Sequence, residues 1–174
     1  MRFLLILALA ASTLPARAQQ SRQQPAIATL TVAYTYLWAD QGGYRVNLNG
    51  WNVRPSVLLG RGYSVFFSST NYYGANRKGS LNAHGYTLGV AKSVFTTPHF
   101  KPALFLESGD VRVSSAGAIT NEALVATGAS VSIPLRPWVS LMVLPAEYVF
   151  LYPHADWRND LNAKVGLTFP LGHR

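Results

Sequence analysis

The sequence predicts an all-β chain that forms a single up-and-down antiparallel transmembrane β-barrel of about eight strands after an N-terminal signal peptide. Three observations support this prediction. Apolar side chains alternate with small or polar ones along most of the chain, aromatic residues gather at the ends of the alternating segments, and only 13% of the residues are charged. Soluble domains carry about 25% charged residues, so the composition disfavours an ordinary water-exposed surface.

The first 18 residues have the pattern of a secretory signal peptide. Arg2 supplies the positive start, residues 3–11 are apolar, and Ala16 and Ala18 form an A-x-A cleavage site. We expect residues 1–18 to be removed and residues 19–26 to be a flexible segment before the fold. Cysteine is absent from the sequence, which excludes a disulfide framework and a cysteine nucleophile.

The first strand is predicted from Ala28 onward. Even-numbered positions from Leu30 to Trp38 are large and apolar, whereas odd-numbered positions from Thr29 to Thr35 are small or polar. A period of two indicates a strand with one large apolar face.

Three further strands follow in the first half of the chain. Residues 51–59 alternate well, with Arg54 on the small-residue face, whereas residues 63–70 alternate more weakly. Residues 86–94 place Tyr, Leu and Val opposite Thr, Gly and Ala. Each segment has about 9–11 residues, the length that crosses a bilayer at a tilt.

The second half of the chain predicts four more strands. Residues 101–109 are apolar on both faces until Glu107, and residues 138–152 are apolar on both faces apart from Glu147, which marks its face as interior. Residues 122–133 and 161–169 alternate more clearly. We expect short and long connections to alternate, as they do in outer-membrane barrels. The short ones are expected at 60–62, 96–99 and 134–137, and the long ones near 40–47, 71–85, 109–121 and 153–160.

The charged residues indicate which face points to lipid. Arg54, Glu147 and Lys164 all lie on the small-residue face, and a charge on the lipid face costs about 2–4 kcal/mol at the bilayer midplane. The small-residue face is therefore expected inside and the apolar face outside, although a soluble barrel with the opposite arrangement is the alternative.

Aromatic residues form two predicted girdles at the membrane interfaces. The loop-side girdle contains Tyr36, Trp38, Tyr72, Tyr73, Tyr86, Tyr148, Phe150, Tyr152 and Trp157, and the turn-side girdle contains Tyr63, Phe95, Phe100, Trp138 and Phe169.

An interior ion network is predicted from the same inward positions. If the last loop is centred between Asp156 and Trp157, Gly166 is opposite Glu147 and Lys164 is its diagonal neighbour. Arg54 and Glu107 are expected to extend this network. We interpret these four residues, Arg54, Glu107, Glu147 and Lys164, as a structural network that fills the barrel.

Residues 159–169 (NDLNAKVGLTF) resemble the closing strand of small outer-membrane β-barrels, the porin-like and outer-membrane protein A-like transmembrane domains. Residues 85–93 (GYTLGVAKS), 146–148 and 48–51 (LNGW) are similar to other parts of these barrels. The resemblance implies a barrel over residues 27–170 in the bacterial outer membrane.

The resemblance also implies partners. Outer-membrane lipids and lipopolysaccharide would surround the barrel, and the barrel-assembly machinery would read its last strand during biogenesis. Residues 171–174 are then a C-terminal tail. The implied assembly signal consists of Leu161, Ala163, Val165, Leu167 and Phe169.

Function is predicted less sharply than fold. No catalytic residue, cofactor site or metal site is predicted, because His84 and His154 are expected in long loops, His99 in a turn and His173 in the tail. The leading interpretation is a non-enzymatic outer-membrane barrel with a structural or surface-interaction role and a lumen filled by side chains. A narrow passive porin for small solutes and an outer-membrane lipid-modifying enzyme are the alternatives.

We interpret the basic residues near the expected long loops as ordinary solvated loop residues, with attraction to anionic lipopolysaccharide as the alternative. No basic stripe or motif indicates nucleic-acid binding. The basic residues concerned are Arg45, Arg77, Lys78, Arg112 and Arg158.

Overall fold

Eight antiparallel strands close into a ring in the computed structural model, which describes residues 26–40, 44–77, 79–115, 117–152 and 158–173. Each strand pairs with the next along the chain, and β8 pairs with β1. This confirms the predicted up-and-down barrel. The strands are β1 (Ala26–Asp40), β2 (Arg45–Gly60), β3 (Tyr63–Asn76), β4 (Gly79–Ser93), β5 (Lys101–Ser115), β6 (Ala118–Arg136), β7 (Val139–Tyr152) and β8 (Arg158–His173).

The strands are longer than the alternation predicted, at 14 to 19 residues. Backbone pairing does not depend on apolar side chains, so the ladders continue past the point where the side chains become polar. The region 71–85, predicted as a long loop, is therefore mostly strand. Gly79 and Gly117 have φ angles of 127° and 84°, which glycine adopts without steric cost at tight reversals.

The predicted alternation of short and long connections is wrong. The connection between β4 and β5 covers residues 94–100, at the end of the barrel where short turns were predicted. Only residues 77–78 separate β3 from β4 at the other end. We call the end of the barrel where β1 begins and β8 ends the turn end, and the opposite one the loop end.

The strands tilt strongly in the ring. When Cα partners are followed once around the barrel from Trp38 in β1, the path returns to β1 at Ala28, ten residues away. Such a stagger requires strands tilted by about 35–45° from the barrel axis. An eight-stranded ring leaves a lumen just wide enough for side chains.

The side chains divide as predicted between lumen and exterior. The outward side chains of Tyr34 and Leu88 are 52% and 64% exposed, whereas the inward Asn52 is fully buried. A broad apolar exterior fits hydrocarbon rather than water. Among the described residues, no helix is long and apolar enough to cross a membrane.

One residue of the predicted girdles faces the wrong way. Tyr72 points into the lumen and is 7% exposed, while its neighbour Tyr73 is 46% exposed on the outside. Consecutive strand residues face opposite sides, so only one of the two can belong to the loop-side girdle. Trp157 lies outside the described residues.

The predicted register between β7 and β8 is also wrong. Asn162, not Gly166, is the partner of Glu147, and Lys164 is the partner of Leu144. Pro145 and Ala146 together oppose Ala163, which makes a β-bulge. Proline cannot donate a ladder hydrogen bond, so a bulge at this position is physically reasonable.

The chain termini differ from the expected boundaries. Ala26, assigned to the flexible segment, begins β1, and β8 continues to His173. Residues 171–173 of the assigned tail therefore extend the sheet, because Leu171 is the partner of Ala28. The signal peptide at 1–18 and residues 19–25 lie outside the described residues and remain predictions.

Gly89→Ala is expected to lower the free energy of unfolding by about 1–3 kcal/mol, the usual cost of overpacking. A methyl group at this inward position would overlap the Phe66 ring and lie 2.8 Å from the Glu107 Cβ. Urea unfolding of the protein in liposomes measures the effect.

Gly85→Ala on the same face of β4 is the matched control, because its added methyl has no neighbour closer than 3.8 Å. Equal stability of the two variants would show that Phe66 moves freely and that the lumen is not tightly packed.

Candidate functional site in the barrel lumen

Four charged side chains from four strands meet inside the barrel. Arg54 comes from β2, Glu107 from β5, Glu147 from β7 and Lys164 from β8. All four are buried, with Arg54 the most exposed at 8%. Their inward direction follows from strand alternation, and the structure brings all four residues of the predicted ion network together.

The charges alternate in sign along a chain of contacts. The Lys164 Nζ lies 2.6 Å from the Glu147 Oε2 and 3.9 Å from the Glu107 Oε1. The Arg54 Nη2 lies 3.3 Å from the Glu107 Oε2. Two cations and two carboxylates thus balance, which matters because an uncompensated buried charge is strongly destabilising.

Neutral polar side chains complete the contacts of the carboxylates. The Thr87 hydroxyl donates to the Glu107 Oε2 at 3.1 Å, and the Asn162 amide donates to the Glu147 Oε2 at 3.0 Å. The same amide donates to the Tyr72 hydroxyl oxygen at 2.8 Å, and the Thr35 hydroxyl donates to the Asn162 Oδ1 at 2.7 Å. We call the four charged residues and these hydrogen-bonded neighbours the charged layer.

An apolar cluster packs beneath the charged layer, toward the turn end. It contains Ala33, Phe66, Phe105, Met142 and Leu144. The Arg54 guanidinium carbon lies 4.2 Å from the Phe66 ring centre and 5.1 Å from that of Phe105. These cation–π contacts hold the guanidinium against the rings while it faces Glu107.

A second apolar cluster fills the lumen on the loop side of the charged layer. The remaining cavity between this cluster and the charged layer has a volume of about 50 Å³, room for roughly three or four water molecules. The buried members of the cluster are Leu37, Ala39, Val46, Leu48, Tyr72, Leu81, Ala83, Val111, Ala126, Val149 and Leu151.

Sequence reasoning missed both apolar clusters because it assigned large apolar side chains to the exterior. Phe66 precedes the outward Phe67, and Leu37 stands between the outward Tyr36 and Trp38. The sequence did contain a signal for these residues: each is a large apolar residue at a position in the alternation where small or polar, inward residues were expected. Met142 gave no such signal, because the bulge in β7 reverses the inward parity.

The predicted assembly-signal residues lie along β8. Their side chains share the outward face, where Val165 and Leu167 are 43% and 41% exposed. The members, Leu161, Ala163, Val165, Leu167 and Phe169, all belong to the strand that closes the ring on β1.

His84 is not in a loop, as predicted, but in β4. Its ring nitrogen hydrogen-bonds the Asn71 side chain, and its ring meets that of Tyr73 edge-on with centres 6.2 Å apart. His99 lies in the 94–100 connection. His154 and the His173 side chain lie outside the described part of the chain. Within that part, no group of three or more His, Asp or Glu residues is arranged to hold a metal ion.

Three of the basic residues predicted near long loops also belong to strands. Arg45 begins β2, Arg112 lies within β5 and Arg158 begins β8. The Arg45 guanidinium stacks 4.2 Å from a Trp38 ring centre, and Arg77 stacks 4.6 Å from the Tyr44 ring centre. These cations are therefore held at the loop end by aromatic rings.

No protein-family model and no curated protein sequence matches the chain. Solved structures do match it. Neisserial surface protein A has 12% identity and a TM-score of 0.66, with 83% of this chain and 97% of that chain covered. The attachment invasion locus protein Ail of Yersinia pestis has 15% identity and a TM-score of 0.55, with 83% and 99% covered.

The N-terminal β-barrel domain of OprF from Pseudomonas aeruginosa is similar as well, with 13% identity and a TM-score of 0.54 over 84% of this chain and all of that one. At these identities the similarity establishes the fold. The chain has the fold of small eight-stranded outer-membrane β-barrels, as the resemblance of its closing strand implied.

Glu147→Ala is expected to lower the free energy of unfolding by about 3–5 kcal/mol, because Lys164 would lose its nearest counter-charge in a buried site. Lys164→Met should be similarly costly. Urea unfolding of the folded barrel in liposomes measures both changes.

The double variant, Glu147→Ala with Lys164→Met, restores charge balance and leaves the Arg54–Glu107 pair. Its loss of stability should fall short of the sum of the single losses by about 0.5–3 kcal/mol. Strict additivity would contradict the coupling that the 2.6 Å contact indicates.

Proposed function

We propose that the chain is a non-enzymatic barrel of the bacterial outer membrane with a closed lumen and a structural or surface-interaction role. The observation that carries this proposal is the filling of the lumen by the charged layer between two apolar clusters. Its fold and its apolar exterior support the outer-membrane location.

The barrel is oriented with its turn end, where both ends of the folded chain lie, in the periplasm. Outward aromatic side chains mark both membrane interfaces. At the loop end they include Tyr36, Trp38, Tyr73, Tyr148 and Tyr152, and at the turn end Tyr63, Phe95, Phe100 and Trp138.

The loop end presents cations to the outer leaflet. Arg45 and Arg77, each stacked on an aromatic ring, are placed to meet anionic headgroups of lipopolysaccharide. During biogenesis, the outward row of β8 from Leu161 to Phe169 serves as the signal for the barrel-assembly machinery.

The closed lumen argues against the porin alternative. Ion passage requires a continuous water-filled path, whereas the Phe66 and Phe105 rings cover the charged layer from the turn end. The cavity of about 50 Å³ above it is lined mostly by apolar side chains. The ion pairs within the charged layer hold its side chains across the lumen, where an ion would have to pass.

A lipid-modifying enzyme has no specific support among the described residues. His84 contacts an asparagine amide and a tyrosine ring, whereas a hydrolytic triad needs a serine and a carboxylate around the histidine. We therefore assign no catalytic step to His84.

In planar bilayers, the purified barrel should show no porin-sized conductance steps, because its lumen is blocked by packed side chains. A sixteen-stranded porin in the same membrane is the positive control for insertion and detection. Heat-dependent migration on a gel verifies that the sample is a folded barrel.

Reproducible conductance steps of porin size from the folded protein would overturn the closed-lumen proposal. Recovery of the folded chain as a soluble monomer without detergent would overturn its membrane location. The two results are separate, because the first concerns the lumen and the second the exterior.

A further inference from the structure

A groove of about 430 Å³ runs along the outside of the barrel over β8, in its loop-side half. One wall is formed by Tyr36 and Trp38 of β1 and the other by Pro145 and Ala146 of β7, and Leu161 and Ala163 of β8 lie between them. Its volume is at the low end of the range of about 300–1,000 Å³ for ligand sites.

The groove has a structural cause. Ala163 is the partner of Tyr36 on one side and faces the bulge on the other. Small side chains at Ala146 and Ala163 leave a trough beside the large side chains of Tyr36 and Trp38. The bulge bends the strand locally, which separates the Pro145 side from the aromatic side.

A cation lies where the groove reaches the loop end of the barrel. Arg45 stacks on Trp38, which is part of the aromatic wall, with 4.2 Å between guanidinium carbon and ring centre. Asp40 is four residues beyond Tyr36 in β1, and Arg45 of β2 is its register partner. The Arg45 backbone therefore lies about 13 Å from the level of Tyr36, toward the loop end. Asp40 is an acidic neighbour there, and Asn47 adds an amide to the groove.

We propose that this groove binds lipopolysaccharide, with one acyl chain of lipid A between the aromatic wall and the bulge and a lipid A phosphate at Arg45. An apolar trough ending at a guanidinium matches an acyl chain that ends at a phosphate, and arginine binds phosphate oxygens through paired hydrogen bonds. The groove lies toward the loop end, which faces the outer leaflet, so the occupant is lipid A rather than a phospholipid.

This inference rests on the proposed outer-membrane location and deepens the proposed contact with lipopolysaccharide. It differs from general solvation of the barrel by lipid, because it assigns one lipid molecule to one place. If lipid merely solvated the barrel, its retention would depend little on which outward alanine is replaced by a larger residue.

The test measures retention of bis-phosphorylated lipid A by the refolded barrel in detergent, using native mass spectrometry. Ala163→Leu and Ala146→Leu fill the groove from two strands, and both residues lie away from the lumen. Each should reduce retention of a single lipid A about fivefold or more, since the lost acyl contacts amount to a methylene or two. Ala123→Leu, on the outward face of β6, is the matched control and should leave retention unchanged.

Arg45→Gln tests the phosphate contact and should also weaken retention of lipid A. Arg112→Gln is its control, because Arg112 is an exposed residue of β5 that does not line the groove. Phosphatidylglycerol, which carries a phosphate and acyl chains but is not lipid A, should be retained less well than lipid A.

Unchanged lipid A retention in the folded groove variants would overturn the proposal. If phosphatidylglycerol is retained as well as lipid A, and the groove variants weaken its retention, the groove binds a phospholipid. If the protein is a dimer that the same variants dissociate, the groove binds a second copy of the chain.

Heat-dependent gel migration verifies folding, and the second alanine position serves if the first variant does not fold. Cell fractionation reads the outer-membrane location independently of these results.

Discussion

A strand surrounded by hydrocarbon must satisfy its backbone polar groups within the protein, and closure of the sheet on itself meets this requirement. Here closure joins β8 to β1 through register pairs that extend from Ala26–His173 to Trp38–Leu161. Closing eight strands with a stagger of ten residues determines the tilt and the width of the lumen. The inward positions must therefore carry side chains that together fill a narrow space with little water.

The lumen solves this packing problem in layers. Glycines give room where large neighbours point inward, as Gly89 does beside the Phe66 ring. The charged layer at mid-height satisfies its own members, because each carboxylate has a cation and a neutral donor within reach. Apolar clusters above and below shield the ions from bulk water, which strengthens the attraction between opposite charges and also raises the cost of removing any single partner.

Much of this fold could be predicted from local patterns, because alternation determines which face a strand residue occupies. The inward assignment of Arg54, Glu147 and Lys164 needed nothing more. Strand ends could not be predicted this way, since backbone pairing continues where side chains become polar. Adjacent residues of equal character, such as Tyr72 and Tyr73, left the pattern ambiguous, and the contacts within the charged layer required the register of distant strands.

The bulge in β7 connects the two surfaces of the barrel wall. Without it, Leu144 and Glu147 could not both point inward, because they are three positions apart and an unbroken strand would send one of them outward. The extra residue lets Leu144 close the apolar cluster near the turn end while Glu147 reaches Lys164. The same extra residue places Pro145 and Ala146 together on the exterior, where they form one side of the groove. A single irregularity in the ladder thus builds the charge pairing inside and the lipid-facing trough outside, so a change that regularised β7 would alter both surfaces together.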